Sequence, residues 1–248
     1  MQKTGNRISS KVKDIKTAII FLMPSLVVFS VFVFFPLVFS FYLSFHKWNL
    51  ISPTKIFIGF KNYFDVFFSD PLFYKVLWNT TVFSVVVVFV TLTLGLILAI
   101  ILNKDISGKS IYRAAIFMPY ITSVSAMALL WLWIFDPTYG LINSTLTFLN
   151  ITGPKWLSSI EWSLPALIIM TIWRFTGYSM LLYLGGLQNL PEEVREAAIV
   201  DGASDWKLFW YITFPLLSPT TFFIAITSII TMFKNFETVP FLILLKEP

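Results

Sequence analysis

Long apolar stretches separated by polar connections dominate the pattern of residues along the chain. The first covers residues 18–45 and contains no charged side chain. Four more follow at 80–102, 114–135, 163–187 and 214–233. Each has about 20 residues or more, which is long enough to cross a bilayer as a helix. The pattern therefore predicts five membrane-spanning helices.

These spanning segments have to be helical. Lipid satisfies no backbone hydrogen bonds, so only helices and closed barrels cross a membrane. The alternating strands of about ten residues that mark a barrel are not found in this sequence. We therefore expect an all-α fold, a polytopic helical bundle. The first stretch is longer than a hydrocarbon core of roughly 30 Å requires, and we expect a retained helix, kinked or tilted at Pro24 or Pro36.

Composition supports this fold class and limits the chemistry. Hydrophobic residues make up 57% of the 248 residues and charged residues 12%, whereas soluble domains have about 25% charged residues. The chain has no cysteine and a single histidine, His46, which we interpret as an interfacial residue. Carboxylate pairs, nucleophile–base pairs and basic runs suited to nucleic acid are not found. We predict no catalytic residue, no metal and no nucleic-acid partner.

Lysine and arginine residues indicate the orientation in the membrane. Five lie in the N-terminal tail, and five more follow the second and fourth apolar stretches, against six on the opposite side. Basic residues concentrate on the cytoplasmic side, so we expect a cytoplasmic N-terminus, with the segments 46–77 and 136–161 outside. The predicted organisation is a basic tail at 1–17, a first helix at 18–45, the outer segment and a core domain at 78–248.

The connection at 188–213 is longer and more acidic than a simple link between two spans. It carries five of the 13 acidic residues of the chain. Pro191 suits a first helical position, Gly202 a left-handed helix end and Ser204 the cap of a second helix. The pattern therefore predicts two short helices with a break between them.

One face of the first short helix is suited to a close contact. Val194, Ala197 and Ala198 recur at the spacing of a single helical face, and the two alanines make that face shallow. A helix this short needs a surface to pack on. Lipid headgroups are one such surface, but helices that rest on them are usually rich in lysine and arginine. We therefore favour a protein partner.

The same connection contains a motif with fixed spacing. Glu196-Ala197-Ala198 is followed after three residues by Gly202, and after nine more by Ile212-Thr213-Phe214-Pro215. This pattern resembles the EAA loop of the permease subunits of binding-protein-dependent ABC importers. The one departure is Phe214, which stands where leucine is usual. The resemblance extends over roughly residues 15–235.

Two further stretches resemble the carbohydrate-uptake branch of these permeases. One is Arg113 to Asn143, which includes Pro119 and the sequence Gly140-Leu141-Ile142-Asn143, and the other is Asn62-Tyr63-Phe64. Maltose, multiple-sugar, lactose and glycerol-3-phosphate permeases belong to this branch. The resemblance implies a type I importer permease that passes a sugar or oligosaccharide across the membrane.

What the resemblance implies for the acidic connection is specific. In the family, the EAA loop forms a coupling helix that docks on a cytoplasmic ATPase and transmits its closure to the spans. Carried over to this chain, the ATPase-coupling residues are Glu196, Ala197, Ala198, Asp201, Gly202 and Pro215.

The resemblance also implies the surroundings of the chain. They are a second permease subunit, a cytoplasmic ABC ATPase dimer, an extracytoplasmic solute-binding protein and the lipid of a bacterial cytoplasmic membrane. ATP is used by the partner ATPase, so we expect no cofactor on this chain. Gly108-Lys109-Ser110 is similar to the end of a phosphate-binding loop, but Asn103 stands where that loop needs glycine.

The fourth apolar stretch holds the candidates for the substrate path: Trp173, Arg174, Thr176 and Tyr178. A central arginine costs roughly 2.5–3.5 kcal/mol on insertion scales, so it should face other helices or a watery cavity. Its neighbours supply the aromatic and hydroxyl groups that bind sugars. The alternative is a structural arginine, satisfied by backbone carbonyls around Gly177.

Three other interpretations compete with an importer permease. A lipid-modifying enzyme needs a polar catalytic cluster, which is not found. An ion-coupled secondary transporter needs intramembrane carboxylates or repeats, and the five predicted spans contain no Asp or Glu. The apolar piece 239–245 is too short to cross a membrane, so the sixth span of the family is not found. A truncated, non-functional permease is therefore the third interpretation.

Overall fold

The fold is known from a computed structural model that describes residues 3–49, 51 and 53–234. The prediction about the apolar piece 239–245 and the sixth span lies outside these residues. The chain divides into two compact units, Met1–Lys75 and Val76–Pro248. Over the described residues, both are helical apart from one two-stranded hairpin in the first unit, and the expected all-α fold is confirmed.

The first unit begins with a long interrupted helix. Helix α1 (Lys3–Phe29) and helix α2 (Phe35–Leu43) are joined by a π-helical turn, Ser30–Phe34. This turn directly precedes Pro36, whose nitrogen has no hydrogen to donate to the preceding turn of helix. The part from Lys16 to Leu43 is long and apolar enough to span a membrane, and none of it is buried within the chain.

A hairpin and a short helix complete the first unit. Strands β1 (His46–Lys47) and β2 (Ile56–Phe57) pair antiparallel, with His46 opposite Phe57. Helix α3 (Lys61–Phe64) follows and continues into a π-helical turn, Asp65–Ser69. The amide of Asn62 donates hydrogen bonds to the carbonyl oxygens of Ser44 and His46, at 2.8 and 3.2 Å. These bonds attach α3 to the end of the first long helix.

Helix α4 (Pro71–Asn103) is longer than the sequence predicted, because it begins within the segment assigned to the outside. Two local features start it there. Proline is favoured at a first helical position, and the carboxylate of Asp70 accepts a hydrogen bond from the N–H of Leu72 at 2.8 Å.

The third predicted span is sharply bent, which the sequence did not predict. Helices α5 (Lys109–Ile121) and α6 (Val124–Ile134) meet at an angle of 98°. Thr122 and Ser123 between them have the extended backbone that a helix cannot continue through. Apolar length alone does not distinguish one span from two half-helices.

The remaining helices lead to and from the acidic connection. Helix α7 (Leu141–Phe148) and a 3₁₀ turn, Trp156–Ser158, precede the long helix α8 (Ile160–Gln188). After α8 come α9 (Glu192–Val200), α10 (Asp205–Leu208), a π-helical turn at Phe209–Thr213, α11 (Phe214–Leu216) and α12 (Ser218–Lys234). The segment Asp205–Leu216 meets α12 at 60°, so the fifth predicted span is also bent. Among the described residues, three helices can cross a membrane, or five if each bent pair counts as one span.

Small residues let the helices of the second unit approach closely. A Cβ atom on Gly177 of α8 would lie 2.1 Å from the carbonyl oxygen of Ile116 in α5. A Cβ atom on Gly95 of α4 would lie 2.6 Å from Cβ of Ser179 in α8. Such contacts are typical of helix packing in membranes, where van der Waals contact replaces the hydrophobic drive. Helix α8 is thus closely packed on two sides.

Candidate coupling loop and substrate path

The acidic connection folds as two short helices, as the sequence predicted. The first, α9, ends in a Schellman motif around Gly202, whose φ is +78°. The N–H of Gly202 donates to the carbonyl of Ile199 at 3.0 Å, and the N–H of Ala203 donates to that of Ala198 at 2.9 Å. These two bonds satisfy carbonyls that the end of the helix would otherwise leave free. The predicted left-handed residue at Gly202 is confirmed.

Two details of this connection differ from the prediction. Pro191 lies one position before the helix, with an extended backbone, and Glu192 is the first helical residue. Ser204 does precede α10, but its hydroxyl makes no capping hydrogen bond to that helix. Both acidic residues at the start of α9 lie in its first turn, where the helix dipole favours negative charge.

The face of α9 that the sequence assigned to a partner is only partly available. Ala198 is 8% exposed and is buried within its own chain, so it does not present a free surface. Glu196 and Ala197 are exposed, and so are Asp201 and Gly202 at the end of the helix. Val194 lies four positions before Ala198 on the same face and is 42% exposed, so the predicted face is exposed at one end and buried at the other.

A local ion pair fixes the charge at the start of α9. The Nε atom of Arg195 donates to Oε1 of Glu192 at 3.0 Å. This hydrogen bond and the attraction to the guanidinium lower the pKa of the Glu192 carboxyl below its ordinary value. Glu192 is therefore ionised at neutral pH, and Glu196 also lies within electrostatic reach of Arg195.

An open cleft of about 460 Å³ lies beside the connection. The ends of α4 and α8 form one side, and α9, α10 and α11 form the other. Its lining is mainly apolar and includes two basic and two acidic residues: Lys104, Arg195, Glu192 and Asp205. An open space thus lies between the connection and the ends of the long helices. The sixth coupling candidate, Pro215, is exposed in α11 beyond this cleft.

The four path candidates on α8 do not form one cluster. The ring of Trp173 meets that of Trp131 edge-on at 5.6 Å, and the ring of Tyr178 stacks on Tyr120 at 4.7 Å. Thr176 is buried. Its hydroxyl donates to the carbonyl of Ile172, one turn earlier, at 2.7 Å.

Arg174 shares a face of α8 with Tyr178, because residues four apart lie above one another. Its Nε atom is buried without a hydrogen-bond partner. No hydrogen bond from this Nε to the carbonyls around Gly177 is found in the described part of the chain. The geometry brings Arg174 and Tyr178 together and leaves Thr176 on another side of the helix. Within the described ranges, no group of three acidic or histidine side chains is placed to hold a metal.

The sequence did not reveal the role of Asn143, which organises the segment between α6 and α8. Its amide nitrogen donates to the carbonyls of Pro137 and Pro154, both at 3.1 Å, and its oxygen accepts from Nε1 of Trp156 at 2.7 Å. Asn143 is buried, and a Cβ on Gly153 would collide with its amide. The only signal in the sequence is the position of Asn143 at the end of Gly140-Leu141-Ile142-Asn143.

Asn143→Ala is expected to destabilise this segment by about 1–3 kcal/mol, because it leaves the indole N–H of Trp156 and two carbonyls without partners. Thermal unfolding of the purified chain, with proteolysis of segment 149–156 as the local readout, measures the effect. Ser144→Ala is the matched control, since Ser144 is the exposed neighbour on the same helix. Equal cleavage rates in the two variants would contradict the assignment.

Comparison with known proteins decides the family. Residues 91–244 match the model of the binding-protein-dependent transport system inner membrane component family, which is more than half of the chain. This chain belongs to that family. It is therefore a permease, a membrane component of a binding-protein-dependent transporter, and the resemblance carried by the EAA loop is confirmed.

Two curated relatives of this permease are named for sugar transport, and a third is named only as a probable ABC transporter permease. It is 32% identical to the trehalose/maltose permease MalF of Thermococcus litoralis, over 94% of this chain and 80% of that one. It is 34% identical to the arabinooligosaccharide permease AraP of Bacillus subtilis, over 88% of this chain and 69% of that one. A probable ABC transporter permease of Pyrococcus horikoshii, PH1215, is 33% identical over 90% of this chain and 77% of its own length.

Solved structures confirm the fold of the permease. A chain of a bacterial ABC transporter that imports the acidic polysaccharide alginate matches with a TM-score of 0.79 and 23% identity. The match covers 98% of this chain and 81% of that one. A second structure of an alginate transporter, in complex with a periplasmic protein bound to an alginate pentasaccharide, matches with a TM-score of 0.77 and 22% identity.

Proposed function

We propose that this permease passes a sugar or oligosaccharide across a bacterial cytoplasmic membrane, with its N-terminus in the cytoplasm. It works with a second permease subunit, a cytoplasmic ATPase dimer and an external solute-binding protein. The observation that carries the proposal is the folded EAA loop, in which α9 ends at Gly202 and exposes Glu196 and Ala197. The sugar-transport names of the relatives support the solute class.

In this proposal the chain does no covalent chemistry, and α9 transmits movement. The exposed side of α9 docks in a groove of the ATPase, where Ala197 permits a close approach and Glu196 offers a charge-assisted hydrogen bond. When ATP closes the ATPase dimer, α9 is displaced across the cleft beside it. Gly202 and Pro215 pass this displacement through α10 and α11 to α12 and change the accessibility of the path.

Recovery of an ATPase with the tagged permease tests this function. The permease is purified in mild detergent from cells that express the neighbouring genes, and the bound fraction is assayed for ATP hydrolysis. Glu196→Lys with Ala197→Glu changes only exposed side chains of α9, so we expect it to fold and to lose the ATPase. Glu161→Lys, a charge reversal at the other end of α8, is the control and should retain it. Recovery of ATPase by neither the native chain nor the control would overturn the proposal.

The substrate path is proposed to run along the face of α8 that carries Arg174 and Tyr178, next to Trp173. The position of Arg174 supports this, because its side chain is half-buried and an arginine within a span faces other helices or a water-filled cavity. Thr176 lies outside this face, since its hydroxyl is bound within α8.

Arg174→Leu is expected to reduce solute uptake at least tenfold while the assembly remains intact. Arg174→Lys keeps a charge and donors and should retain more uptake. Size-exclusion chromatography checks the assembly, and uptake into proteoliposomes is measured with a panel of labelled oligosaccharides. Normal uptake by Arg174→Leu would assign the residue a structural role.

A further inference from the structure

The segment Asp205–Leu216, which we call the elbow, joins the EAA loop to the last described helix. It consists of α10, a π-helical turn and α11, and it meets α12 at 60°. It is the covalent link between α9 and α12, so a displacement of α9 reaches α12 through it. Its surroundings therefore decide how that displacement is converted into movement of α12.

The elbow has an inner side that faces its own chain. Leu208 is buried, and Ile212 and Thr213 are half-buried and line the cleft beside the EAA loop. Asp205, the sole acidic residue of the elbow, also lines this cleft. The carboxylate of the elbow and part of its apolar surface thus lie on the inner side.

The outer side of the elbow is a stripe of exposed aromatic rings, which we call the aromatic face. Trp206 is 71% exposed, Trp210 44%, Tyr211 79% and Phe214 37%. The rings of Trp206 and Trp210 are 5.6 Å apart, and those of Trp210 and Phe214 are 5.3 Å apart. Lys207 is exposed among them. The four rings thus form one continuous exposed aromatic surface on a short segment.

The chemistry of the aromatic face fits the boundary between lipid tails and headgroups. Trp and Tyr are enriched at that boundary, because their rings are apolar and their N–H and O–H groups are polar. A lysine beside them reaches towards anionic headgroups. The acidic helix α9 lacks this character, although it lies only a few residues away. The composition therefore separates a segment suited to lipid from one suited to a protein groove.

The angle of the elbow and its continuity with the span support the same partner. Membrane helices tilt by about 20° on average, so a 60° bend from α12 directs the elbow well away from the membrane normal. Beyond the bend, Phe222 and Phe223 of α12 are exposed, and the apolar surface continues without a charged residue up to Lys234. A surface that runs from a span into an aromatic segment across such a bend is typical of a helix entering the interface.

We propose that the aromatic face is a membrane anchor whose partner is the lipid of the cytoplasmic leaflet, at headgroup depth. The choice of leaflet rests on the proposed function. The anchor holds the elbow at a fixed depth in the membrane. A displacement of α9 therefore rotates the elbow and tilts α12, and the segment as a whole does not move towards the bilayer. Trp206 and Trp210 are positioning residues in this mechanism.

Spin labels can measure the depth of the aromatic face directly, because the chain contains no cysteine. Trp206→Cys and Tyr211→Cys are labelled before assembly with the partner subunits in nanodiscs of phosphatidylethanolamine and phosphatidylglycerol. Power saturation with oxygen and with a water-soluble nickel chelate then gives each depth. Val200→Cys, at an 86% exposed position of α9, and Phe89→Cys, at a 69% exposed position within α4, are the references for water and for the membrane interior.

The expected depth of both labels lies between the two references, in the assembly and in the permease alone. A depth equal to that of the Val200 label would place the face in water. An immobilised label that neither oxygen nor nickel reaches would place it against a protein partner. Either result overturns the anchor. The depth can also be measured in the permease alone. A failure to bind an ATPase, which would contradict the proposed function, is therefore distinguished from a failure of the anchor.

A functional arm separates anchoring from folding. Trp206→Ser with Trp210→Ser removes the two indoles, and we expect the solute transported per ATP hydrolysed to fall at least fivefold while the ATPase remains bound. Trp206→Phe with Trp210→Tyr keeps aromatic rings at both positions and should restore most of the coupling. Equal coupling in the serine and aromatic pairs would contradict the anchor.

Discussion

Gly202→Val is expected to abolish coupled ATP hydrolysis by the assembled transporter, whereas Gly202→Asn is expected to retain at least half of it. The φ angle of Gly202 is +78°, a region that β-branched residues almost never adopt. Asparagine enters it at small cost, because its side chain forms local hydrogen bonds there. Strain of this kind is worth roughly 1–3 kcal/mol.

The two substitutions isolate backbone conformation from crowding. A Cβ atom on Gly202 would meet no atom within 4 Å, so valine has room for its side chain and only its φ is unfavourable. If φ leaves the left-handed region, the bonds from Gly202 to Ile199 and from Ala203 to Ala198 are lost, and the direction of the chain after α9 changes. The exposed Glu196 and Ala197 then no longer face the ATPase together with the end of the helix.

Proteoliposomes of the assembled transporter provide the measurement. The rate of ATP hydrolysis with and without the solute-binding protein is compared for the native chain, Gly202→Asn and Gly202→Val at equal permease content. We expect a tenfold or greater loss of the stimulated rate for valine. Native stimulation by the valine variant would show that the turn at Gly202 plays no part in coupling.

Local structural features of the EAA loop could be predicted from the sequence, because each depends on only one or two residues. Gly202 supplies a positive φ and Asp205 begins a helix, and both features are found where they were expected. The hydroxyl of Ser204 was the exception, since a capping bond depends on side-chain rotation as well as position. The bend between α5 and α6 could not be predicted in this way, because hydropathy gives the length of an apolar segment and not the direction of its helix axis.

Contacts between distant parts of the chain could not be predicted. Asn143 binds Trp156, 13 residues away, and Arg113 donates to the carbonyl of Leu102 at 2.7 Å, which ties α5 to the end of α4. The spacing of these residues in the sequence does not predict which residues they bind. The separation of Thr176 from Arg174, in contrast, could have been predicted, because it follows from helical geometry alone. The two residues were grouped only because both can bind a sugar.

Gly177→Ala is expected to destabilise the permease strongly, although the same change at Gly185 of the same helix is expected to be neutral or stabilising. Glycine is about 1 kcal/mol less favourable than alanine inside a helix, so α8 alone would gain from either substitution. At Gly177, contacts with α5 make the substitution unfavourable. The added Cβ would lie 2.1 Å from the carbonyl oxygen of Ile116 and 2.8 Å from Cα of Phe117.

These obstructing atoms belong to the backbone, so rotation of a side chain cannot relieve the collision. Helices α5 and α8 have to separate, which also disturbs the stack of Tyr120 on Tyr178. A Cβ on Gly185 meets no atom within 4 Å. In detergent, we expect Gly177→Ala to lower the unfolding temperature, followed by tryptophan fluorescence, by at least 5 °C, and Gly185→Ala to leave it unchanged or raise it. Equal unfolding temperatures for the two variants would mean that α5 and α8 do not approach each other at Gly177, and the packing that holds the proposed path would have to be redrawn.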